Sequence, residues 1–240
     1  THPDDDAWDA KIDVVAETAP EVASFTFGCP APETLARLRK RGVLTAVTVT
    51  SLDEAAIAVA AGADALVVQG PDAGGHRGTF DPTRKPGEES LDSLLAAICS
   101  AHDVPVIAAG GLSAAGDVRR VLALGALAAQ AGTALLLADE AGTNPVHRQA
   151  LSDPQFAHTV VTCAFSGRYA RGLANDFTDR YDPVAPLGYP EVNQMTGPIR
   201  RAAVAAGDPH GTNLWAGTAW RGTRAGAAAD IVATLAEEVV

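Results

Sequence analysis

The feature that most constrains this chain is a repeated unit within its first 140 residues. In each unit a helical stretch leads, often through a glycine, into a short apolar run that ends in a polar or glycine-rich turn. We predict five strands in this way, at residues 22–27, 44–49, 65–68, 104–108 and 127–131. Continuous apolar runs are typical of parallel strands buried on both faces. The sequence therefore predicts an α/β fold built on a parallel sheet, either a barrel or a doubly wound sheet.

Capping residues support the helix boundaries. Ser51 and Glu54 are spaced as a capping box. Ser90 and Ser113 stand where N-caps are expected before two further helices. Three glycines occupy positions where a left-handed residue commonly ends a helix, namely Gly42, Gly62 and Gly125. A helix over residues 5–19, with Trp8, Ile12 and Val15 on one face, precedes the first strand.

The repeat stops after about residue 140. We predict one more helix within residues 143–158, a loop-rich stretch over 166–224, and a final helix over 225–239. Residues 1–140 are thus predicted to form five βα units, and residues 141–240 a helical and loop-rich extension that covers the site. Both parts are assigned to one domain.

Composition narrows the function classes. The length of 240 residues is close to the roughly 250 of a (β/α)₈ barrel, but five strands are too few to close one. The net charge of −11 disfavours nucleic acids and anionic membranes as partners. The three cysteines show no metal-ligand spacing, so we predict neither a disulfide framework nor a metal site. No apolar run reaches the ~18 residues of a membrane span. We predict a cytoplasmic protein with reduced thiols.

The loop after the third strand carries the chemistry. Residues 69–78 read Gln-Gly-Pro-Asp-Ala-Gly-Gly-His-Arg-Gly, so that glycines flank one histidine at the mouth of the fold. His76 can exchange a proton near neutral pH, although a surface-loop histidine without a function is the alternative. Arg77 is a candidate for pairing with an anion or for simple solvation. We expect His147, His158 and His210 on the surface, and Cys29 either beside the site or as an apolar filler.

Two further turns predict a phosphate site. Gly110 and Gly111 end the fourth strand just before a helix, and residues 130–133 end the fifth strand in the same manner. Backbone amides at such turns bind anions. Adjacent turns of this kind match the usual phosphate position of a barrel, after its strands seven and eight. The five strands are then strands four to eight of a (β/α)₈ barrel.

These motifs resemble those of the class I nitronate monooxygenase family, formerly called 2-nitropropane dioxygenases. The resemblance rests on residues 24–28, 69–78, 108–112 and 130–133, and less specifically on 171–177 and 214–217. It implies an FMN-containing TIM barrel that oxidises alkyl nitronates, such as propionate 3-nitronate, with O₂. It also implies that His76 is the catalytic acid/base and that aromatic residues of the C-terminal extension close over the substrate, for which Tyr189 is a candidate. The residues implied to bind FMN are Gln69, Gly74, Gly75, Gly110, Gly111, Gln130, Ala131, Gly132 and Thr133.

The chain departs from the family pattern at its front, where members carry three further βα units. The resemblance thus implies the C-terminal two thirds of such an enzyme, with exposed strand edges, and we expect this piece to be neither stable nor active alone. Two alternatives stay open. One is a related FMN-dependent NAD(P)H reductase of the enoyl-acyl carrier protein or quinone type. The other is a phosphate-binding barrel or inactive fragment without catalysis. A homodimer is a candidate assembly.

Overall fold

A computed structural model describes residues 7–237 and shows a five-stranded parallel sheet. Its strands, in chain order, are β1 (Val22–Phe25), β2 (Leu44–Val49), β3 (Ala65–Gln69), β5 (Val106–Ala109) and β6 (Ala128–Gln130). Each strand pairs with the next in parallel register, so the spatial order is β1-β2-β3-β5-β6. The five predicted strands are confirmed, with ends that differ by up to two residues.

Helices precede β1 and connect the parallel strands. They are α1 (Trp8–Thr18), α2 (Pro32–Lys40), α3 (Leu52–Ala61), α4 (Leu91–Ala101) and α5 (Ala115–Ala123). The main core lies between the sheet and helices α3, α4 and α5, and it contains Val47, Leu66, Leu95 and Ile98. Residues 5 and 6 of the first predicted helix lie outside the described residues, as does the end of the last one.

The predicted cap residues are confirmed except at Ser113, and the last helix begins at Ala228 and ends at Leu235, inside its predicted range of 225–239. Ser51 Oγ accepts a hydrogen bond from the Glu54 amide at 3.2 Å, and Ser90 Oγ accepts one from Ser93. Helix α5 instead begins after Ala114. The carboxylate of Asp117 accepts hydrogen bonds from the amides of Ser113 at 3.0 Å and Ala114 at 3.1 Å. A carboxylate is a stronger acceptor than a hydroxyl, so Asp117 caps this helix in place of Ser113.

The second half of the chain holds more regular structure than predicted. Strand β4 (Gly75–His76) pairs antiparallel with β8 (Ala170–Leu173), which pairs with β7 (Thr159–Thr162). The further helices are α6 (Pro145–Ala150), α7 (Asp176–Tyr181), α8 (Glu191–Ala206) and α9 (Ala228–Leu235), with 3₁₀ turns η1 (Thr133–Leu135), η2 (Asp182–Val184) and η3 (Trp220–Gly222). The prediction of a loop over residues 166–224 was wrong for β8, α7 and α8.

The parallel sheet is open among residues 7–237, with β1 and β6 at its edges. Apolar side chains along it are exposed, including Leu127 at 71% and Val22 and Leu44 at 56% each. Within the same residues, no helix has the length and apolar character needed to cross a bilayer. The carboxyl ends of β3, β5 and β6 meet on one side of the sheet, and the predicted turns gather there.

Candidate active site

A cavity of about 120 Å³ lies at the carboxyl ends of β3, β5 and β6. Eight of the nine residues predicted to bind the cofactor line it, namely Gln69, Gly74, Gly110, Gly111, Gln130, Ala131, Gly132 and Thr133. The ninth, Gly75, belongs to strand β4 and is not one of the lining residues. Gly217 and Ala219, from the C-terminal part of the chain, close the cavity on another side. The two parts of the sequence therefore form one site.

Three glycines of this cavity, Gly74, Gly110 and Gly111, are required by close contacts or by their backbone conformation. Gly110 and Gly111 have φ angles of +109° and +72°, which side chains rarely adopt. A Cβ atom at Gly111 would lie 2.9 Å from Asp72 Cβ. One at Gly74 would lie 2.4 Å from the backbone nitrogen of Gly217. The backbone segments thus approach each other too closely for any larger residue.

The cavity offers backbone donors rather than charged side chains. The amides of Gly111, Leu112, Gly132 and Thr133 have no hydrogen-bond partner among residues 7–237. Thr133 Oγ1 accepts a bond from the Gly217 amide at 2.9 Å, which leaves its own proton available for donation. No lysine or arginine lines the cavity. This donor set fits a phosphate bound by amides and hydroxyls.

One part of the predicted phosphate site was wrong. The sequence places a helix directly after Gly111, and the amides at the start of such a helix would be expected to bind an anion as well. The Asp117 carboxylate already accepts from Ser113 and Ala114, so these two amides are not available to an anion. The donors that remain lie in the Gly-Gly turn itself and in the turn at Gly132.

Gln69 connects this cavity to the loop that carries His76, residues 69–78, which we call the histidine loop. Its Nε2 donates to the carbonyl of His76 at 3.1 Å, and its Oε1 accepts from the amide of Gly78 at 2.9 Å. Both ends of one side chain thereby fix the backbone on either side of Arg77. The side chain holds the loop and also forms part of the cavity wall.

His76 lies in an aromatic enclosure and not on an open surface loop. Its ring centroid is 5.8 Å from that of Phe27, 5.5 Å from Tyr189 and 5.6 Å from Trp215. Its Nε2 lies 2.8 Å from the hydroxyl of Ser166. Burial, followed by the charges of Arg168 and Arg200, lowers the pKa of His76 to about 4. The imidazole is therefore neutral at pH 7 and able to accept a proton.

The guanidinium groups of Arg168 and Arg200 give this enclosure a positive field. The Arg168 Cζ lies 4.0 Å from the centroid of the Phe27 ring, a cation–π contact. Arg168 also donates to the carbonyls of Arg77 and Thr79 and is only 4% exposed. Phe27 has a φ of +75°, an unusual conformation for an aromatic residue. The field that disfavours a charged His76 favours an anionic ligand beside it.

Arg77 differs from both predictions made for it. The side chain is 2% exposed, so it is neither solvated nor placed at the surface. Its guanidinium donates to the carbonyls of Gly70 and Gln69, and burial lowers its pKa to about 10. Arg77 therefore holds the loop from within rather than presenting a charge to a ligand.

Several residues around His76 were missed from the sequence. Ser166 and Arg168 follow His76 by about ninety positions, and Trp215 comes later still. The one local signal is Gly167, whose φ of +74° marks a tight turn between Ser166 and Arg168. Without the three-dimensional pairing of β4 with β8, nothing places this turn beside the histidine.

Three other predictions are settled by burial and contacts. His147 was expected at the surface but is 8% exposed on α6, where burial lowers its pKa to about 4. His158 is exposed, as expected. Cys29 packs against the main core, as an apolar filler does. The residues that the structure describes contain no group of three or more side chains that could hold a metal ion.

Comparison with known proteins places the whole chain in one family. The family model described as nitronate monooxygenase matches residues 2–238. A nitronate monooxygenase from Pseudomonas aeruginosa is 39% identical over 95% of this chain and 66% of its own length. One from Paraburkholderia phytofirmans is 40% identical over 96% and 64%, respectively. The chain thus spans slightly less than two thirds of the length of these relatives.

Two solved structures are similar in fold and sequence. Nitroalkane oxidase from Streptomyces ansochromogenes superposes with a TM-score of 0.93 at 47% identity, covering 98% of this chain and 68% of that one. FabK from Thermotoga maritima gives a TM-score of 0.79 at 26% identity, covering 97% and 72%. The family model spans nearly all of the sequence and these relatives match it throughout. The chain therefore belongs to the nitronate monooxygenase family.

Proposed function

We propose that the protein containing this chain catalyses the FMN-dependent oxidation of alkyl nitronates, such as propionate 3-nitronate, by O₂. The observation that carries this proposal is the neutral His76 in an aromatic enclosure with a positive field, joined through Gln69 to a glycine-lined cavity. Nitronates are small anions with an apolar chain. The aromatic rings of the enclosure suit the apolar chain of a nitronate, and its guanidinium groups suit the negative charge.

The cavity supports FMN as the cofactor. We assign its phosphate to the turns at Gly111 and Gly132 and to the Thr133 hydroxyl, with Gln69 and Gly74 on the remaining wall. Gly75, one position before His76, is the further predicted contact. When bound, the flavin would accept electrons from the substrate and pass them to O₂. The glycines leave room for such a group only because their Cβ atoms are missing.

His76 would hold the substrate anion and control its proton. A neutral imidazole keeps one unprotonated nitrogen that can accept a proton without carrying a charge of its own, while the field of Arg168 and Arg200 favours the anion beside it. Phe27 and Trp215 would exclude water from the reacting atoms. Tyr189, whose ring lies 5.5 Å from His76 and is 39% exposed, is our candidate for closing over the substrate.

We further propose that the five parallel strands are strands four to eight of a (β/α)₈ barrel. The order of pairing follows the chain throughout, as in a barrel, and β1 and β6 each have one edge without a partner strand among residues 7–237, where further strands could pair. Residues 1–140 and 141–240 are proposed to form one domain, supported by the cavity that both parts line. A homodimer stays a prediction, to be checked by light scattering.

Replacement of His76 tests the proposed activity. In the full-length protein, we expect His76→Asn to lower kcat/KM for nitronates on the order of 10²-fold or more, since acid–base groups contribute at that level. His158→Asn, at an exposed position, is the matched control and should leave turnover unchanged. Unchanged turnover in His76→Asn would show that the assigned role is wrong.

A second measurement separates the proposal from its alternatives. We expect the yellow flavin to bleach anaerobically when a nitronate is added alone. Bleaching by NADH or NADPH but not by nitronate would favour the reductase alternative. Purification of a folded, full-length protein that binds no flavin would favour a binding protein without catalysis.

A further inference from the structure

The hydroxyl of Ser166 contacts the imidazole of His76 and has no role in the proposed oxidation of nitronates. Ser166 is 1% exposed. Its Oγ lies 2.8 Å from His76 Nε2 and 3.1 Å from the carbonyl oxygen of Arg168. A serine hydroxyl carries one proton and can donate to only one of these two atoms. The choice determines which nitrogen of the imidazole carries its proton.

Only one arrangement satisfies all of the buried groups. If Ser166 donates to His76, the carbonyl of Arg168 loses its hydrogen-bond donor within a nearly fully buried segment, which costs about 1–3 kcal/mol. If Ser166 donates to the carbonyl of Arg168, its oxygen accepts a hydrogen bond from His76 Nε2–H and every partner is satisfied. The Arg168 amide also points at Ser166 Oγ, at 3.4 Å, and so already uses this oxygen as an acceptor.

We propose that Ser166 is a positioning residue that holds neutral His76 as its Nε2–H tautomer, so that Nδ1 is the basic atom of the site. Nδ1 has no hydrogen-bond partner among residues 7–237, and it is not one of the buried unpaired nitrogens. Nδ1 is thus accessible inside the enclosure formed by Phe27, Tyr189 and Trp215. This proposal deepens the proposed function and rests on it for the meaning of Nδ1 in turnover.

The turn that carries Ser166 also positions the segment next to Tyr189, the candidate for closing over the substrate. The carbonyl of Gly167 accepts a hydrogen bond from the Gly188 amide at 2.9 Å, next to Tyr189. A Cβ atom at Gly167 would lie 2.7 Å from the Gly188 backbone, so this contact leaves no space for a side chain. One tight turn therefore fixes both the imidazole and the tyrosine that faces it.

The test is ¹⁵N NMR of the histidine side chains in the full-length flavoprotein without substrate, at pH 7. We expect the wild-type His76 to show a protonated Nε2 and an unprotonated Nδ1. In Ser166→Ala the population should shift toward the Nδ1–H form, while Ser152→Ala, at an exposed serine, should match the wild type. Ser166→Cys keeps nearly the same volume with a weaker acceptor, and it should give an intermediate shift even if the alanine variant folds poorly.

Kinetics provide the second readout. For nitronate turnover we expect Ser166→Ala to lower kcat by roughly tenfold to a hundredfold, as misplacement of a catalytic group does, with a smaller change in KM. A wild-type His76 protonated at Nδ1 would overturn the tautomer assignment. An unchanged tautomer in both Ser166 variants would overturn the role of Ser166. Failure of the wild type to oxidise nitronates would instead contradict the proposed function, because the NMR measurement needs no substrate.

Discussion

Gly132 shows how single residues shape the cofactor cavity. Unlike Gly110 and Gly111 it has a negative φ, of −112°, and a Cβ atom there would meet no atom within 4 Å. An alanine is therefore compatible with the backbone at this position. Its methyl group would be added to a turn that lines the cavity, beside the free amides of Gly132 and Thr133.

We predict that Gly132→Ala folds normally but binds FMN at least about tenfold more weakly, a loss of roughly 1.4 kcal/mol. Equilibrium titration of the apoprotein with FMN would measure the change, and thermal unfolding without FMN would show the stability. Gly142→Ala is the matched control, because that glycine is exposed and also has open space at its Cβ. Equal FMN affinity in the two variants would contradict the phosphate position that we assign.

At the scale of elements, helix α3 is tied to the site by Glu54. Its carboxylate accepts bonds from the amide and hydroxyl of Thr50 at 2.6 and 2.7 Å, and from the amide of Phe80 at 2.8 Å. The capping box predicted from the sequence explains the position of Glu54 near the start of the helix. The bond to Phe80 adds a tertiary contact that fixes the end of the histidine loop.

We predict that Glu54→Ala lowers the free energy of unfolding by about 1.5–3 kcal/mol, the range for hydrogen bonds to a charged group. Urea denaturation would measure this loss. Asp53→Ala, on the exposed side of the same turn, should change stability by less than about 0.5 kcal/mol. Equal effects of the two substitutions would show that the bonds to Thr50 and Phe80 do not stabilise the fold.

Helices α3 and α8 show what sequence patterns capture and what they miss. Helix α3 has a serine cap, an unbroken run of helix-forming residues and a C-terminal glycine, and it extends over 52–61, between the predicted cap Ser51 and the predicted terminal Gly62. Helix α8 contains Gly197 and Pro198 in its interior and exposes Met195 and Ile199. Such a helix has poor propensity in its interior and leaves these two apolar side chains in solvent, so it depends on tertiary contacts. Among these is the bond from the Thr196 hydroxyl to the carbonyl of Phe165.

For the whole molecule, the half-buried His76 and the buried His147 determine a pH dependence. The pKa values of His76 and His147 are lowered to about 4 in the folded state, against 6.5 for an unperturbed histidine. Between these values the unfolded chain binds protons that the folded chain does not. Stability should therefore be fully present above pH 6.5 and decrease as the pH falls toward 4.

We predict that His147→Gln removes part of this decrease. The free energy of unfolding, measured in urea at pH 7 and pH 5, should change less between the two pH values in this variant than in the wild type. His158→Gln, at an exposed position, should retain the wild-type difference. An unaltered pH dependence in His147→Gln would show that this histidine is not held neutral by burial.

By itself, the sequence determined the parallel strands, most helix ends and the glycine turns that line the cavity, because these depend on apolar runs, caps and residues without a side chain. The tertiary structure alone decided the surroundings of His76. Ser166, Arg168 and Trp215 reach the imidazole through the pairing of β8 with β4 and the contact of Gly172 with Trp215. The first pairing joins positions more than ninety residues apart, and the second joins positions 43 residues apart. No local pattern encodes them, since they follow from how the whole chain buries its apolar surface.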